Sequence, residues 1–141
     1  MSYLLDTNVV SEIRKGTRAD KAVMKWFSEV SDDDLHMSVL VLGELRQGVE
    51  RLRAPRDSAS AERLDRWLRR LTEDYEGKIL VVDEPVAQAW GRLNVPDPLP
   101  AIDGLLAATA LVHDLTLVTR NTRDVARTGA RLLNPFTAVR R

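Results

Sequence analysis

The hydrophobic positions of this chain fall into two patterns: short continuous apolar runs, and longer stretches in which apolar residues recur every three or four positions. The runs predict strands and the periodic stretches predict amphipathic helices. Strands are expected at 3–5, 35–39, 79–82, 115–119 and 131–133. Helices are expected at 9–14, 19–30, 40–52, 58–75, 84–93, 101–112 and 121–127. Strands that alternate with helices favour an α/β fold, a three-layer α/β/α sandwich around a mainly parallel sheet of about five strands.

Two of these elements are apolar on more than one side. The run at 79–82 has the composition of a strand that is buried on both faces. The stretch at 101–112 is apolar almost all round, which is typical of a buried helix. The helices at 40–52 and 58–75 are separated by a short polar break and predict a helical hairpin.

Acidic residues follow several of the predicted strands. Asp6 ends the first strand, where it either serves chemistry at the edge of the sheet or only caps the next helix. Glu44 lies near the start of the helix that follows the second strand, outside the apolar stripe of that helix. Asp103 opens the apolar helix, where an unpaired buried carboxylate is costly, although a carboxylate is also favourable at a helix N-terminus. These acids are the first candidates for a functional site.

The fourth strand, which ends at Thr119, is followed by Asn121 and Asp124. If the strands run parallel, all these polar side chains gather at one edge of the sheet. Two carboxylates about 4 Å apart repel by about 4 kcal/mol at an effective dielectric constant of about 20, so such a cluster needs protonation or a cation. Ligands that are all oxygen favour Mg²⁺ or Mn²⁺ over zinc.

Length and composition narrow the class of protein. A chain of 141 residues fits a single domain spanning 1–141. It has 21 basic and 21 acidic residues, so its net charge gives no argument for nucleic-acid or membrane binding. The absence of cysteine excludes disulfides and weakly favours the cytosol. No signal peptide or membrane span is expected from the apolar pattern.

Arginines are clustered, and arginine suits phosphate by geometry as well as by charge. The clusters nearest the candidate acids, at 14–18 and 120–131, are the more suggestive of phosphate binding. The cluster at 63–70 is interpreted as the solvated face of a helix.

Four segments carry a family resemblance. The segments at 4–8, 38–45, 102–112 and 117–125 resemble, in order and spacing, the four signature blocks of the PIN-domain ribonucleases, in particular the VapC-type toxins of the FitB-like branch. A C-terminal Leu133-Asn134-Pro135-Phe136 is also similar to that branch. The resemblance covers essentially the whole chain.

The resemblance implies a set of site residues. The catalytic acids fall on Asp6, Glu44, Asp103 and Asp124, and the metal ligands on Asp6, Asp103, Asn121 and Asp124. Many relatives have an acid at the position of Asn121, so we expect Asn121 to bind through its carbonyl or a water while Asp124 supplies the charge. Residues expected to hold the acids or position the substrate are Thr7, Asn8, Thr119 and Arg120.

The resemblance also implies an activity and partners. The expected protein is a Mg²⁺- or Mn²⁺-dependent endoribonuclease toxin of the cytoplasm, in which a metal-activated water hydrolyses RNA phosphodiesters. A cognate antitoxin would inhibit it. A homodimer is expected, with the helical hairpin contributing to the contacts, and so is a possible higher toxin–antitoxin assembly.

Two alternatives remain at this point. An aspartyl-nucleophile phosphatase also places an acid after its first strand, but it needs a second acid two residues later, where this chain has Asn8. A non-catalytic PIN-like binding module would be expected to lose some of the acids, and the absence of an acid at Asn121 keeps this alternative open. His36 and His113 lie on a predicted strand and at a helix end, and both are interpreted as structural.

Overall fold

The computed structural model of the protein describes residues 1–137. Within them, five strands form a single sheet: β1 Tyr3–Leu5, β2 Leu35–Ser38, β3 Ile79–Leu80, β4 Thr116–Val118 and β5 Arg131–Leu133. The same residues form seven α-helices: α1 Thr7–Arg14, α2 Lys21–Glu29, α3 Val39–Arg53, α4 Ser58–Asp74, α5 Glu84–Leu93, α6 Ala101–His113 and α7 Thr122–Val125. No helix of this described region is both long and apolar enough to cross a membrane.

The sheet is parallel throughout, in the order β3-β2-β1-β4-β5. Leu5, at the end of β1, lies beside Met37 of β2 on one side and Val118 of β4 on the other. The chain therefore moves outward in one direction from β1 to β3, and then crosses to the other side of β1. Because crossovers between parallel strands are right-handed, this strand order assigns α1–α4 to one face of the sheet and α5–α7 to the other, and the helices of each group contact one another. The predicted three-layer α/β/α fold is confirmed.

The helices begin where local capping chemistry predicts. Asp20, Ser38, Asp57 and Asp83 each accept a hydrogen bond from a backbone N–H in the first turn of the helix that follows. These bonds satisfy donors that the first helical turn leaves without an intrahelical partner. The helix starts are thus set by residues adjacent in sequence.

The central strands and α6 supply the core. Leu4 and Leu117 are fully or almost fully buried on the neighbouring strands β1 and β4, and Leu106 of α6 is also completely buried. The expectation of a buried helix at 101–112 is met over most of its length. Its last turn reaches the surface, where Leu111 and Val112 are 40% and 39% exposed.

The third strand is present, but the prediction that it is buried on both faces along 79–82 is wrong. Only Ile79 and Leu80 form β3, and both are half-buried because β3 is an edge strand rather than a central one. Val81 and Val82, which continue the same apolar run, are 57% and 38% exposed. The run resembles a doubly buried strand in composition, but its place at the edge leaves one side uncovered.

The α3–α4 hairpin, predicted from sequence, is closed by an ion cluster around one buried aspartate. Asp65 of α4 is 2% exposed and accepts hydrogen bonds from Arg46 and Arg53 of α3, both at 3.0 Å, and from Arg69 of its own helix at 3.2 Å. The hydrogen bonds from Arg46 and Arg53, together with the positive charges of Arg46 and Arg69, lower the pKa of Asp65 to about 2. A buried charge requires such partners, and these bonds link the two helices.

Candidate active site

The site lies where the direction of the chain across the sheet reverses. β2 and β4 flank β1, so the crossover after β1 departs toward β2 while β4 lies on the opposite side. The carboxyl ends of β1 and β4 therefore open onto a crevice of the kind in which open α/β sheets bind ligands. Asp6 and Thr119 are the residues that directly follow these two strands.

Asp6 is anchored by donors from both strands' ends. Asp6 is 6% exposed. Oδ1 accepts from the backbone N–H of Thr7 at 2.7 Å, and Oδ2 accepts from the Thr119 hydroxyl at 2.7 Å and, more weakly, from the Asn8 amide at 3.4 Å. Burial raises the pKa of Asp6, while the bonds from Thr119 and Thr7 act in the opposite direction and the charge of Glu44 adds to the rise. Asp6 does cap α1, but it is also a buried acid with an unfavourable ionisation.

Glu44 reaches the same crevice from α3. Its Oε1 accepts a hydrogen bond from the Thr7 hydroxyl at 2.5 Å, so Thr7 bridges the acid after β1 and the acid on α3. Ser38 sets the start of that helix, since its hydroxyl accepts from the backbone N–H of Leu40 at 3.1 Å. Sequence reasoning missed Ser38, although a serine between a predicted strand and a predicted helix is a typical N-cap signal.

Asp103 faces these acids from the first turn of α6. Burial raises its pKa, and the charges of Asp6, Asp124 and Glu44 raise it further, in that order. The next residue, Gly104, is buried, and a Cβ there would lie 3.2 Å from Cδ1 of Trp90. This close approach of α6 to α5 fixes the turn that carries Asp103.

The segment after β4 joins the same site. The backbone N–H of Asn121 donates to the Thr119 hydroxyl at 3.0 Å, and that of Arg120 donates to Oδ1 of Asn8 at 3.2 Å. Asn121 and Asp124 are exposed, but the charge of Asp124 is close enough to act on Asp103. The guanidinium of Arg120 lies over Phe136, 4.4 Å from the ring centroid.

The structure thus brings together residues that are far apart in sequence. Four carboxylates, here called the acidic edge, belong to Asp6, Glu44, Asp103 and Asp124. Thr7, Asn8 and Thr119 donate hydrogen bonds to two of these acids, Asp6 and Glu44. Asn121 and Asp124 were the two candidates for the fourth acidic position. Asp124 is the one whose charge raises the pKa of Asp103, while Asn121 takes part through its backbone N–H.

Comparison with known proteins identifies the family of the chain. The model of the PIN domain matches residues 3–130. The chain belongs to the PIN domain family. The resemblance seen in the four sequence segments is therefore confirmed at the level of the family.

Individual PIN-domain relatives match over nearly their whole lengths. Toxin FitB of Neisseria gonorrhoeae is 32% identical over 139 residues, which cover 94% of this chain and 97% of the relative. VapC ribonuclease Y4jK of Sinorhizobium fredii is 28% identical, covering 94% and 96%. The crystal structure of FitAcB from Neisseria gonorrhoeae matches with a TM-score of 0.80 and 31% identity, covering 95% of this chain and 98% of that one.

The chemistry of the acidic edge of this PIN domain fits a hard cation, although its side chains are not arranged as a ready coordination shell. Among residues 1–137, no three acidic, histidine or cysteine side chains converge closely enough to hold a metal ion as they stand. Both oxygens of Asp6 instead accept hydrogen bonds from protein donors. The donor set is nevertheless all oxygen, and burial raises the pKa of both Asp6 and Asp103, with a further rise from neighbouring carboxylates.

Proposed function

We propose that this PIN domain is a metal-dependent endoribonuclease that acts as the toxin of a toxin–antitoxin pair. The observation that carries the proposal is the gathering of Asp6, Glu44, Asp103 and Asp124 at one edge of the sheet, where burial and neighbouring carboxylates raise the pKa of Asp6 and of Asp103. In the described part of the chain, none of the four carboxylates of the acidic edge forms an ion pair with a lysine or arginine. A cluster of acids that the protein leaves without a cation is suited to take one from solution.

We propose that Asp6, Asp103, Asp124 and the side-chain carbonyl of Asn121 hold the ion, which is Mg²⁺ or Mn²⁺ because the donors are all oxygen. A bound ion of this kind supplies positive charge for the scissile phosphate and a water of lowered pKa.

Other residues orient the reacting groups. Asp103 helps to orient or deprotonate the attacking water, and Glu44 takes part as the remaining catalytic acid. Thr119 and Thr7 hold Asp6 and Glu44 through the hydroxyl bonds described above. Arg120, exposed beside the site, is placed to position the phosphate.

The relatives support the substrate and the partner. Curated relatives include proteins named VapC ribonuclease Y4jK and Ribonuclease VapC4, and the similar FitAB structure is bound to a DNA fragment. On this basis we propose RNA as the substrate, a cognate antitoxin as the inhibitor, and a homodimer that can enter a larger toxin–antitoxin assembly. We further propose that residues 1–141 act as one domain and that the protein works in the cytoplasm.

The test compares the wild-type chain with Asp103→Asn on a single-stranded RNA, with Mg²⁺ and then with EDTA. Asp33→Asn is the matched control, since it makes the same change at an exposed acid in the turn before β2. We expect wild type and Asp33→Asn to cleave RNA only with Mg²⁺, and Asp103→Asn to be slower by about 10²- to 10⁴-fold, the usual contribution of a positioned acid or base.

Equal cleavage by all three proteins, or cleavage that persists in EDTA, would contradict the proposal. Hydrolysis of a small phosphomonoester by a chain that leaves RNA intact would instead support an aspartyl-nucleophile phosphatase. RNA binding without any hydrolysis would support a non-catalytic PIN-like module.

A further inference from the structure

A second surface of the molecule concentrates positive charge. The end of α1, the turn that follows it and the middle of α4 form a groove of about 430 Å³. Six cationic side chains line this basic groove: Arg14, Lys15, Arg18, Arg63, Arg66 and Arg70. Sequence reasoning interpreted the arginines of 63–70 as a solvated helix face. The structure places that face against the separate basic cluster at 14–18.

The charge of the groove is largely uncompensated. Lys15 pairs with Glu12 at 2.9 Å, and this is the one ion pair that the structure gives to a cation of the groove within residues 1–137. Arg69, on the same helix as the groove arginines, turns instead to Asp65. Because the net charge of the whole chain is zero, six cations around one groove are a local excess.

An aromatic ring completes the lining. Trp67 lies in the groove, and the guanidinium carbon of Arg14 is 5.5 Å from its ring centroid. Guanidinium groups pair with phosphate oxygens in a fixed geometry, and guanidinium and aromatic surfaces both stack on bases. A basic groove with an aromatic side chain is the combination used to bind single-stranded nucleic acid.

The groove is close enough to the acidic edge for one ligand to reach both. Asp6 caps the N-terminus of α1 and Arg14 is its last residue. Eight helical residues span about 12 Å, so the two sites are separated by about one short helix. We propose that the basic groove is an auxiliary binding site for the phosphate backbone of a single-stranded RNA whose cleavage occurs at the acidic edge; this rests on the proposed function for the identity of the polymer.

An acidic protein segment is the competing ligand, and the lining favours RNA. A protein helix gains most of its binding energy by burying an apolar stripe. The one aromatic ring of this groove is half-buried and has Arg14 over it, so little apolar surface is open. Regularly repeated phosphates need the cations, and a base can stack on the guanidinium plane of Arg14, which itself lies over Trp67.

The experiment measures the affinity of the full-length chain for a long fluorescent single-stranded RNA in EDTA, where the proposed cleavage is silent. The groove variant is Arg66→Gln with Arg70→Gln, two exposed positions on α4. Its control is Arg51→Gln with Arg92→Gln, which removes the same charge from exposed positions of α3 and α5. Polyglutamate is the probe for acidic protein, and cleavage of a trinucleotide with Mg²⁺ reports on the acidic edge alone.

We expect only the groove variant to bind the long RNA more weakly. Loss of two phosphate contacts should make the slope of log affinity against log salt shallower by about 1.4 for a single strand. The loss of RNA affinity in the groove variant should therefore shrink by about sevenfold from 50 to 200 mM salt. Trinucleotide cleavage should match wild type. Equal affinity for RNA in the groove and control variants would overturn the inference, as would a loss confined to polyglutamate.

The two proposals fail separately. If no variant cleaves any RNA but the groove variant binds RNA more weakly than its control, the groove stands and the nuclease fails. If the trinucleotide is cleaved and the groove variant binds the long RNA like wild type, the nuclease stands and the groove inference is overturned.

Discussion

Replacing Thr119 with valine removes one hydroxyl from the centre of the acidic edge without changing the shape of the side chain. Thr119 is 1% exposed, and its hydroxyl donates to Oδ2 of Asp6 at 2.7 Å. It also accepts from the backbone N–H of Asn121 at 3.0 Å. The substitution therefore leaves a buried carboxylate with one donor fewer, and we expect it to destabilise the fold.

The expected loss follows from the charge of the acceptor. A hydrogen bond to a charged group contributes about 1.5–3 kcal/mol, whereas a neutral one contributes about 1 kcal/mol. Since valine leaves no cavity, we expect the free energy of unfolding to fall by about 2 kcal/mol, or the melting temperature by about 4–10 °C for a domain of this size. Thr109→Val is the matched control, because Thr109 is completely buried but its hydroxyl donates only to the carbonyl of Leu105, at 2.7 Å. It should cost no more than about 1 kcal/mol.

The pH dependence tests the cause. Burial raises the pKa of Asp6 above its ordinary value of 3.8, and the Thr119 bond opposes this, so the pKa rises further in the valine variant. An acid whose pKa is higher in the folded state binds more protons folded than unfolded in the window above 3.8, so stability falls as pH rises through that window. This fall in stability with rising pH is larger in the valine variant, because its Asp6 has the higher pKa. The deficit of the valine variant should therefore be complete near neutral pH and should fall to about 1 kcal/mol or less near pH 3, where Asp6 is protonated and the lost bond is a neutral one.

Urea denaturation in EDTA, followed across this pH range, measures both quantities. The reasoning would be refuted by a deficit of the same size at low and neutral pH, because the bond would then not act on a carboxylate. It would be refuted equally if Thr119→Val cost no more than Thr109→Val.

Two further substitutions test the supports of the site and of the hairpin. Gly104→Ala should destabilise by about 1–2 kcal/mol, because its Cβ would lie 3.2 Å from Cδ1 of Trp90 and overpacking outweighs the gain in helix propensity. In Gly91→Ala the added Cβ meets no described atom within 4 Å, so this variant should gain up to about 1 kcal/mol; the same sign for both in urea denaturation would contradict the packing argument. Asp65→Asn should lower the melting temperature at neutral pH, and the difference should disappear as pH falls toward 2, because the bond from Arg46 holds the pKa of Asp65 at about 2. A melting difference that is unchanged in acid would show that the charge of Asp65 is not the cause.

Local signals in the sequence were sufficient for most of the secondary structure. The helix expected at 58–75 is found at Ser58–Asp74, and the strand expected at 131–133 is found at Arg131–Leu133. Periodicity and capping residues determine such elements over a few neighbouring positions. The strand expected at 79–82 is shorter and more exposed than predicted, for a reason that is not local. Whether an apolar run lies at the centre or at the edge of a sheet depends on the order of strands, to which the run itself gives no clue.

The same limit applies to the contacts of the site. The sequence shows an acid after β1 and a threonine at the end of β4, but they are separated by 113 positions. Their hydrogen bond exists because β4 pairs with β1 rather than with β3. The family resemblance supplied the grouping of the acids, and only the structure shows that Thr119 and Thr7 hold them together.

The two acids on apolar helix faces, Asp103 and Asp65, separate a candidate site from a structural ion cluster. Asp65 lies on the stripe of Ala61 and Leu68, so the argument that singled out Asp103 would have singled out Asp65 as well. In the folded protein the pKa values of the two acids shift in opposite directions: arginines hold the pKa of Asp65 down to about 2, while burial and neighbouring carboxylates raise the pKa of Asp103. A misplaced charge in a sequence therefore marks both kinds of residue. Only the charge that remains uncompensated in the folded protein is free to bind a cation or move a proton.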